Sequence, residues 1–388
     1  MKLRSTRKIS LTLIMTAGVG LATYQSAAAV TLYSITNLGT LGGEVSGAYG
    51  INDKGQVVGQ SSITNGEPRA FVWSEGIGMR NLGVLDNGYN CAALNINNIG
   101  QVVGSSYINS GVSRAFLWTE STPIRDLGTP SIGSEAWGIN DAGQVVGDLF
   151  DPTNGQSRAF LWTESGGTQN LGTLGGNIRS AAFDINNAGQ VVGFANTANE
   201  QTRAFLWTES KGLKNLGTLG YYSFATGIND VGQVVGDSDS TDVPTRAFLW
   251  SESTGMINLG TLGADNSYSY SYAINNAGQV VGNSIFNISN AGATQHAFVW
   301  EKGTMFDLNN LLSPDSGWTV FEARGINNVG QIVGTGSLDG KVRAVLLSPI
   351  PNSKPIPESN SVLGTLAFAA LGVAHCKHKH LKLQSRQN

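Results

Sequence analysis

One nine-residue phrase is written seven times along this 388-residue chain. It reads Ile-Asn, Asp or Asn, any residue, Gly-Gln, two aliphatics and Gly. The copies begin at Ile51, Ile96, Ile139, Ile185, Ile228, Ile274 and Ile326, mostly 43 to 46 residues apart, with a last gap of 52. A unit of that size cannot bury its apolar faces alone. It must stack on its neighbours, which makes the chain a repeat protein.

The unit ending at Trp162 shows the local chemistry. Ser134 to Ile139 is a short strand, and Asn140-Asp141-Ala142-Gly143 is a tight turn with glycine where positive φ is needed. Gln144 to Gly147 is a second strand, and a polar loop runs from Asp148 to Ser157. Arg158-Ala159-Phe160-Leu161-Trp162 is a third strand, and a fourth begins at Thr168. Four short strands per unit is the size of a β-propeller blade. The second and third strands are continuous apolar runs, as expected of strands covered on both faces.

The third strand recurs at Arg69, Arg114, Arg158, Arg203, Arg246, His296 and Arg343. The end of the fourth recurs at Asn37, Asn81, Asp126, Asn170, Asn215, Asn258 and Asp307. The first of these precedes every complete repeat, and the last repeat lacks one. The expected fold is therefore all-β: a seven-bladed propeller closed by pairing of the N-terminal strand (Leu32 to Leu38) with the last blade. A β-solenoid is the structural alternative, but it does not need this offset.

The termini read differently. Lys2, Arg4, Arg7 and Lys8, then a mostly apolar run and Ala27-Ala28-Ala29, form a secretory signal peptide over 1–29. The propeller spans 30–349, a Pro-containing linker 350–360, and a C-terminal sorting or membrane segment 361–388. Between Val30 and Ser353 there are 15 Lys/Arg and 26 Asp/Glu, a net charge of −11. An acidic body excludes nucleic acid, which needs a positive surface. Charged residues make up 13% of the chain, well below the average of about 25%, and the surface is filled with Ser, Thr, Asn and Gly instead. The two cysteines, Cys91 and Cys376, give no disulfide framework.

The tail, with Pro357-Glu358-Ser359, a short apolar run and a Lys/His-rich end, resembles the PEP-CTERM sorting signal of Gram-negative bacteria. That signal is processed by an exosortase, a membrane transpeptidase-like enzyme. The motif here lacks its second proline and carries Lys and His where Arg is commoner. The body resembles the HAF-repeat family of probable extracellular proteins. His296-Ala297-Phe298 spells the motif, the other units use Arg-Ala-Phe, and the seventh has Arg343-Ala344-Val345. The resemblance implies an exported repeat protein at the cell envelope, outer surface or outside the cell. It implies no catalytic residues.

Few residues suit catalysis. The body has one histidine, His296, so Ser-His-Asp and Cys-His arrangements are excluded. Cys91 fills the slot held elsewhere by Ser46, Ser134, Ser180, Ser223 and Ser269. The histidines of the tail suit a basic stop better than a metal site. Asp237, Asp239 and Asp242 place carboxylates at near-alternate positions of one loop, a spacing that suits Ca2+, although the Gly and later Glu of a full motif are missing. No other cofactor is expected.

The non-repeating positions are more informative. Two residues before each Ile stand Tyr49, Leu94, Trp137, Phe183, Thr226, Tyr272 and Arg324. Innermost strands ring a central channel, so Tyr49, Trp137, Phe183, Tyr272 and Arg324 are the candidate ligand-binding residues, set against a purely structural role in inter-blade packing. Aromatics in the connections (Tyr89, Tyr221, Tyr222, Phe224, Tyr268, Tyr270, Trp318) are candidates for the same mouth. Glu135 and Glu322 occupy equivalent slots in blades far apart around the ring, so a glycosidase pair there would need help from loops. The expected role is a binding or scaffold module for extracellular polysaccharide or a surface protein, with membrane contact only through the tail. The alternatives are a polysaccharide-active hydrolase or lyase, and a passive matrix component.

Overall fold

The computed structural model describes residues 31–351, apart from 131–132, 152, 240–243, 265 and 290–291. The expected signal peptide over 1–29, most of the expected linker and the expected sorting segment lie outside the described residues, as do Asp242 and Cys376.

The described chain is all strand except for two short 3-10 helices, Leu308–Leu311 and Pro314–Ser316, which fill the long last gap. Five sheets have four strands and one has eight; in the latter, two four-stranded runs meet at a single parallel pair, Ser157 with Arg179. Within each run the strands are antiparallel neighbours in chain order. The innermost strands, first to seventh, are Gly42–Ile51, Asn90–Ile96, Gly133–Ile139, Gly175–Ile185, Ser223–Ile228, Tyr268–Ile274 and Trp318–Ile326. Each packs on the next, and the seventh returns to the first, so they enclose a central axis. This is a β-propeller.

The ends join by hydrogen bonds. Tyr33–Asn37 runs antiparallel to Lys341–Pro349, with Tyr33 opposite Pro349 and Asn37 opposite Val345. Leu38 N donates to Ala344 O at 3.0 Å, and Ile350 N to Leu32 O at 2.8 Å. The first strand thus becomes the outermost strand of the last sheet and covers its edge.

The core lies between sheets. Val103, Ala115 and Leu117 of one sheet pack with Ala136, Ile139, Phe160 and Trp162 of the next. The third-strand phenylalanines Phe71, Phe116, Phe160, Phe205, Phe248 and Phe298 are fully buried in these seams. Each buried ring contributes roughly 2–3 kcal/mol.

The repeated turns also bind one another. Asn52 Oδ1 accepts the Lys54 and Gln56 amides at 3.1 and 3.0 Å. Its Nδ2 donates to Gln56 Oε1 at 2.8 Å and to the carbonyl of Asn97, the same residue of the next turn, at 3.0 Å. Gly55 closes the turn at φ 74°. The link to the next turn recurs from Asn97 to Asn140, Asn186, Asn229, Asn275 and Asn327, and Asn327 donates back to Asn52 O. A carboxamide supplies two donors and an acceptor together, which is why this position is always Asn while its neighbour is either Asp or Asn.

The third-strand arginines clasp the following sheet. Arg69 donates to Tyr89 O, Arg158 to Ile178 O, Arg203 to Tyr221 O, Arg246 to Ser267 O and Arg343 to Glu44 O. Arg114 and His296 contact Asp126 and Asp307 of their own fourth strands. Those are the two units with Asp where the others have Asn.

Candidate functional site

All seven innermost strands carry the same irregularity. Pairing with the second strand slips by one residue between Ala48 and Gly50, Ala93 and Asn95, Ala136 and Gly138, Ala182 and Asp184, Ala225 and Gly227, Ser271 and Ala273, and Ala323 and Gly325. The residue left over is Tyr49, Leu94, Trp137, Phe183, Thr226, Tyr272 or Arg324. A β-bulge re-aims its extra side chain. Here all seven line one cavity of about 590 Å3 on the central axis. The volume is in the range of small-molecule sites, roughly 300–1,000 Å3.

The next residue along is glycine in four strands. A Cβ at Gly138 would lie 3.0 Å from both Phe183 O and Asp184 Cα, so glycine lets adjacent inner strands approach. Asp184 itself occupies this slot and lines the cavity. Its Oδ1 accepts the Ile185 amide and its Oδ2 the Ile228 amide of the next inner strand, both at 2.9 Å. Burial nonetheless pushes its carboxyl up to about 7.

The five candidate residues come together, and the sheets hold them in set orientations. Trp137 Nε1 donates to Asp148 Oδ1 at 2.8 Å, and the Tyr272 hydroxyl to Asn283 Oδ1 at 2.8 Å. Trp137 meets Phe183 edge-to-face at 5.7 Å, and the aromatic run continues through Phe194 to Phe224. Across the ring, Arg324 stacks on Tyr272 at 4.3 Å and reaches Tyr49 at 5.9 Å. An ion pair with Glu322 at 2.7 Å fixes its guanidinium. One sector of the wall is aromatic and apolar, and the facing sector is a cation sandwiched by tyrosines.

The connection aromatics do not share the mouth. None of Tyr89, Tyr221, Tyr222, Phe224, Tyr268, Tyr270 or Trp318 lines the cavity. Tyr89 stacks on Tyr107 at 5.9 Å, and Tyr221 is 69% exposed. These residues precede the bulge and sit on the flanks and rim of the inner strands.

Glu135 and Glu322 have separate surroundings, and Glu135 has a closer acidic neighbour. It sits opposite Asp148 across the first two strands of its sheet. Burial raises both carboxyls, and the Asp148 charge adds to the rise at Glu135. Equal spacing about the Asn140 turn would set Asp148 opposite Ala136; the bulge at Trp137 shifts the register by one and brings Glu135 opposite it.

Asp237 and Asp239 diverge. Asp237 is half-buried near Tyr270 and Tyr272, and burial pushes its carboxyl up to about 7. Asp239 Oδ1 accepts the Tyr221 and Tyr222 amides at 2.7 and 2.6 Å. Among the described residues no group of three His, Cys, Asp or Glu converges as a metal site would require. Cys91 takes the serine slot, and burial pushes its thiol up to about 12, far from a thiolate nucleophile.

A family profile described as "Protein of unknown function (DUF3466)" matches residues 220–346. No curated protein matches the sequence. Among solved structures the chain is similar to a streptogramin B lyase, at 13% identity and TM-score 0.54 over 82% of this chain and 98% of that one. It is also similar to a virginiamycin B lyase from Staphylococcus aureus, at 14% identity and TM-score 0.53 over 82% and 100%. The β-propeller domain of the Trilobed protease from Pyrococcus furiosus aligns at 9% identity and TM-score 0.51 over 81% and 97%. At these identities the likeness is one of fold, and the class it defines is the all-β propeller.

Proposed function

We propose that this is an exported, seven-bladed propeller of HAF-type repeats that binds polysaccharide at the cell envelope or outside the cell. The count of seven takes the eight-stranded sheet as two blades, in keeping with seven inner strands around one axis. Export rests on the basic and apolar start with its alanine cleavage site, and retention or processing at the envelope on the PEP-CTERM-like tail.

One observation carries the binding role. The repeat is strict in its turns and core, yet the seven bulged positions that share a cavity are Tyr, Leu, Trp, Phe, Thr, Tyr and Arg. A structural position would repeat like the others; a recognition surface would not. Flat aromatic faces beside a fixed cation match sugar rings, apolar on one face and hydroxylated at the edge. A surface protein is the other partner these groups suit. The test is a glycan array followed by titration: Trp137→Ala with Tyr272→Ala should abolish retention of the bound glycan, and unchanged affinity would discard the reading.

A polysaccharide-active enzyme is the second reading, favoured by the opposed carboxyls Glu135 and Asp148 beside Trp137. Two nearby carboxyls of raised pKa are the groups general acid–base chemistry uses. New reducing ends, lost in Glu135→Gln, would establish it.

A further inference from the structure

A second hollow, of about 690 Å3, opens beside the central cavity at the seam where the seventh inner strand meets the first. Tyr49 and Arg324 line both hollows. The seventh inner strand slips twice by one residue, between Val320 and Glu322 and again between Ala323 and Gly325. No other inner strand has two single-residue slips among the described residues. The extra slip turns out Phe321, and Phe321 lines the second hollow. The same hollow is lined by Ser62, Thr64 and Asn65, which carry hydroxyl and amide groups, among the apolar Val45, Ile63 and Pro68.

The rim between the hollows is low at this seam. Two residues before each bulge stand Gly47, Ala92, Glu135, Ala181, Phe224, Tyr270 and Glu322, and the glycine falls here. A Cβ at Gly47 would lie 3.2 Å from Thr335 Oγ1 and 3.4 Å from the Tyr49 ring. At the junction the Arg324–Glu322 pair sets a donor beside an acceptor, and Arg324 Nε has no hydrogen-bond partner among the described residues. Adjacent hydroxyls of a pyranose each donate and accept, so they fit such a pair. The body's charge of −11 repels polyanions.

We infer that the two hollows form one track for a linear, uncharged polysaccharide. One sugar stacks in the central cavity, and the following sugars pass over Gly47 and lie along Phe321. This rests on the polysaccharide reading above and adds the chain's length, charge and path.

The test titrates the full secreted chain with unbranched β-1,4-glucose, β-1,4-N-acetylglucosamine and α-1,4-glucose oligomers of two to eight residues, with alginate oligomers as the acidic comparison. Affinity for one uncharged series should rise about tenfold or more with length. Asn65→Ala and, separately, Phe321→Ala should remove that gain and leave disaccharide affinity within about twofold. Equal affinity at all lengths, or a gain that survives both variants, would overturn the track while leaving the cavity reading intact. Tighter binding of alginate would overturn the uncharged ligand. Binding of no oligomer in any series would remove both readings.

Discussion

Cys91 stands where five other units have serine. In those units the hydroxyl accepts a third-strand amide from the preceding sheet, as Ser134 Oγ does from Ala115 at 3.0 Å and Ser180 Oγ from Ala159. Cys91→Ser should therefore change unfolding free energy by less than about 1 kcal/mol, whereas Cys91→Val, which strands the Ala70 amide, should cost about 2 kcal/mol. Denaturant titration of both variants checks this. The thiol should resist alkylation until the protein unfolds. Asn140 saturates its amide across two turns, and Asn140→Ala should cost about 2–3 kcal/mol. Asp237 makes a pH-dependent contribution. Its folded pKa of about 7 lies above its ordinary 3.8, so between these values the folded chain keeps a proton that the unfolded chain has released. Stability therefore falls as pH rises from about 4 to 7 and levels off above. Asp237→Asn should be the more stable chain at pH 8, by on the order of 1–2 kcal/mol, and nearly equal to the wild type at pH 4. A variant with no advantage at pH 8 would contradict that.

The inner strand is the element that gives the repeat its candidate site. Its period, turn chemistry and aromatic positions were all legible, because local residues write them: Asn140 to Gly143 makes its turn wherever it lies. The bulge was not, because a register slip exists only relative to a partner, as Ala136 and Gly138 show against Gly147 and Val146. Asp184 left a trace that could have found it, a carboxylate in a slot where Gly50, Gly138, Gly227 and Gly325 recur. The Glu135–Asp148 pair needed strand register, and the seam groove joins residues more than 250 positions apart. Filling the close approach with Gly138→Val should shift the Phe183 strand and lower both stability and ligand affinity. Near-UV circular dichroism of the Trp137–Phe183 contact would report the disturbance.

For the whole molecule, closure depends on one short edge strand. Leu32 to Leu38 could be assigned to the last sheet from the count of fourth strands alone, since an unpaired first copy and a missing last copy fit one another. What the count could not show is that the same seam carries the low rim at Gly47 and the doubly bulged wall at Phe321 and Arg324. Thr36→Pro, opposite Leu346 in a hydrogen-bonded pair, removes a donor from the closing strand and should cost about 3 kcal/mol, with a lower unfolding midpoint and a tendency to self-associate through the freed edge around Val345. Sedimentation alongside thermal unfolding would detect both. The account's central claim is that the bulged residues of the inner ring are where this protein meets its ligand. A crystal structure of the chain soaked with the oligosaccharide it binds best tests this most directly. Sugar density stacked on Trp137 or Tyr272 within the axial cavity is the predicted result. Density confined to the Asn52–Asn327 turn face or to the outer strands would contradict it.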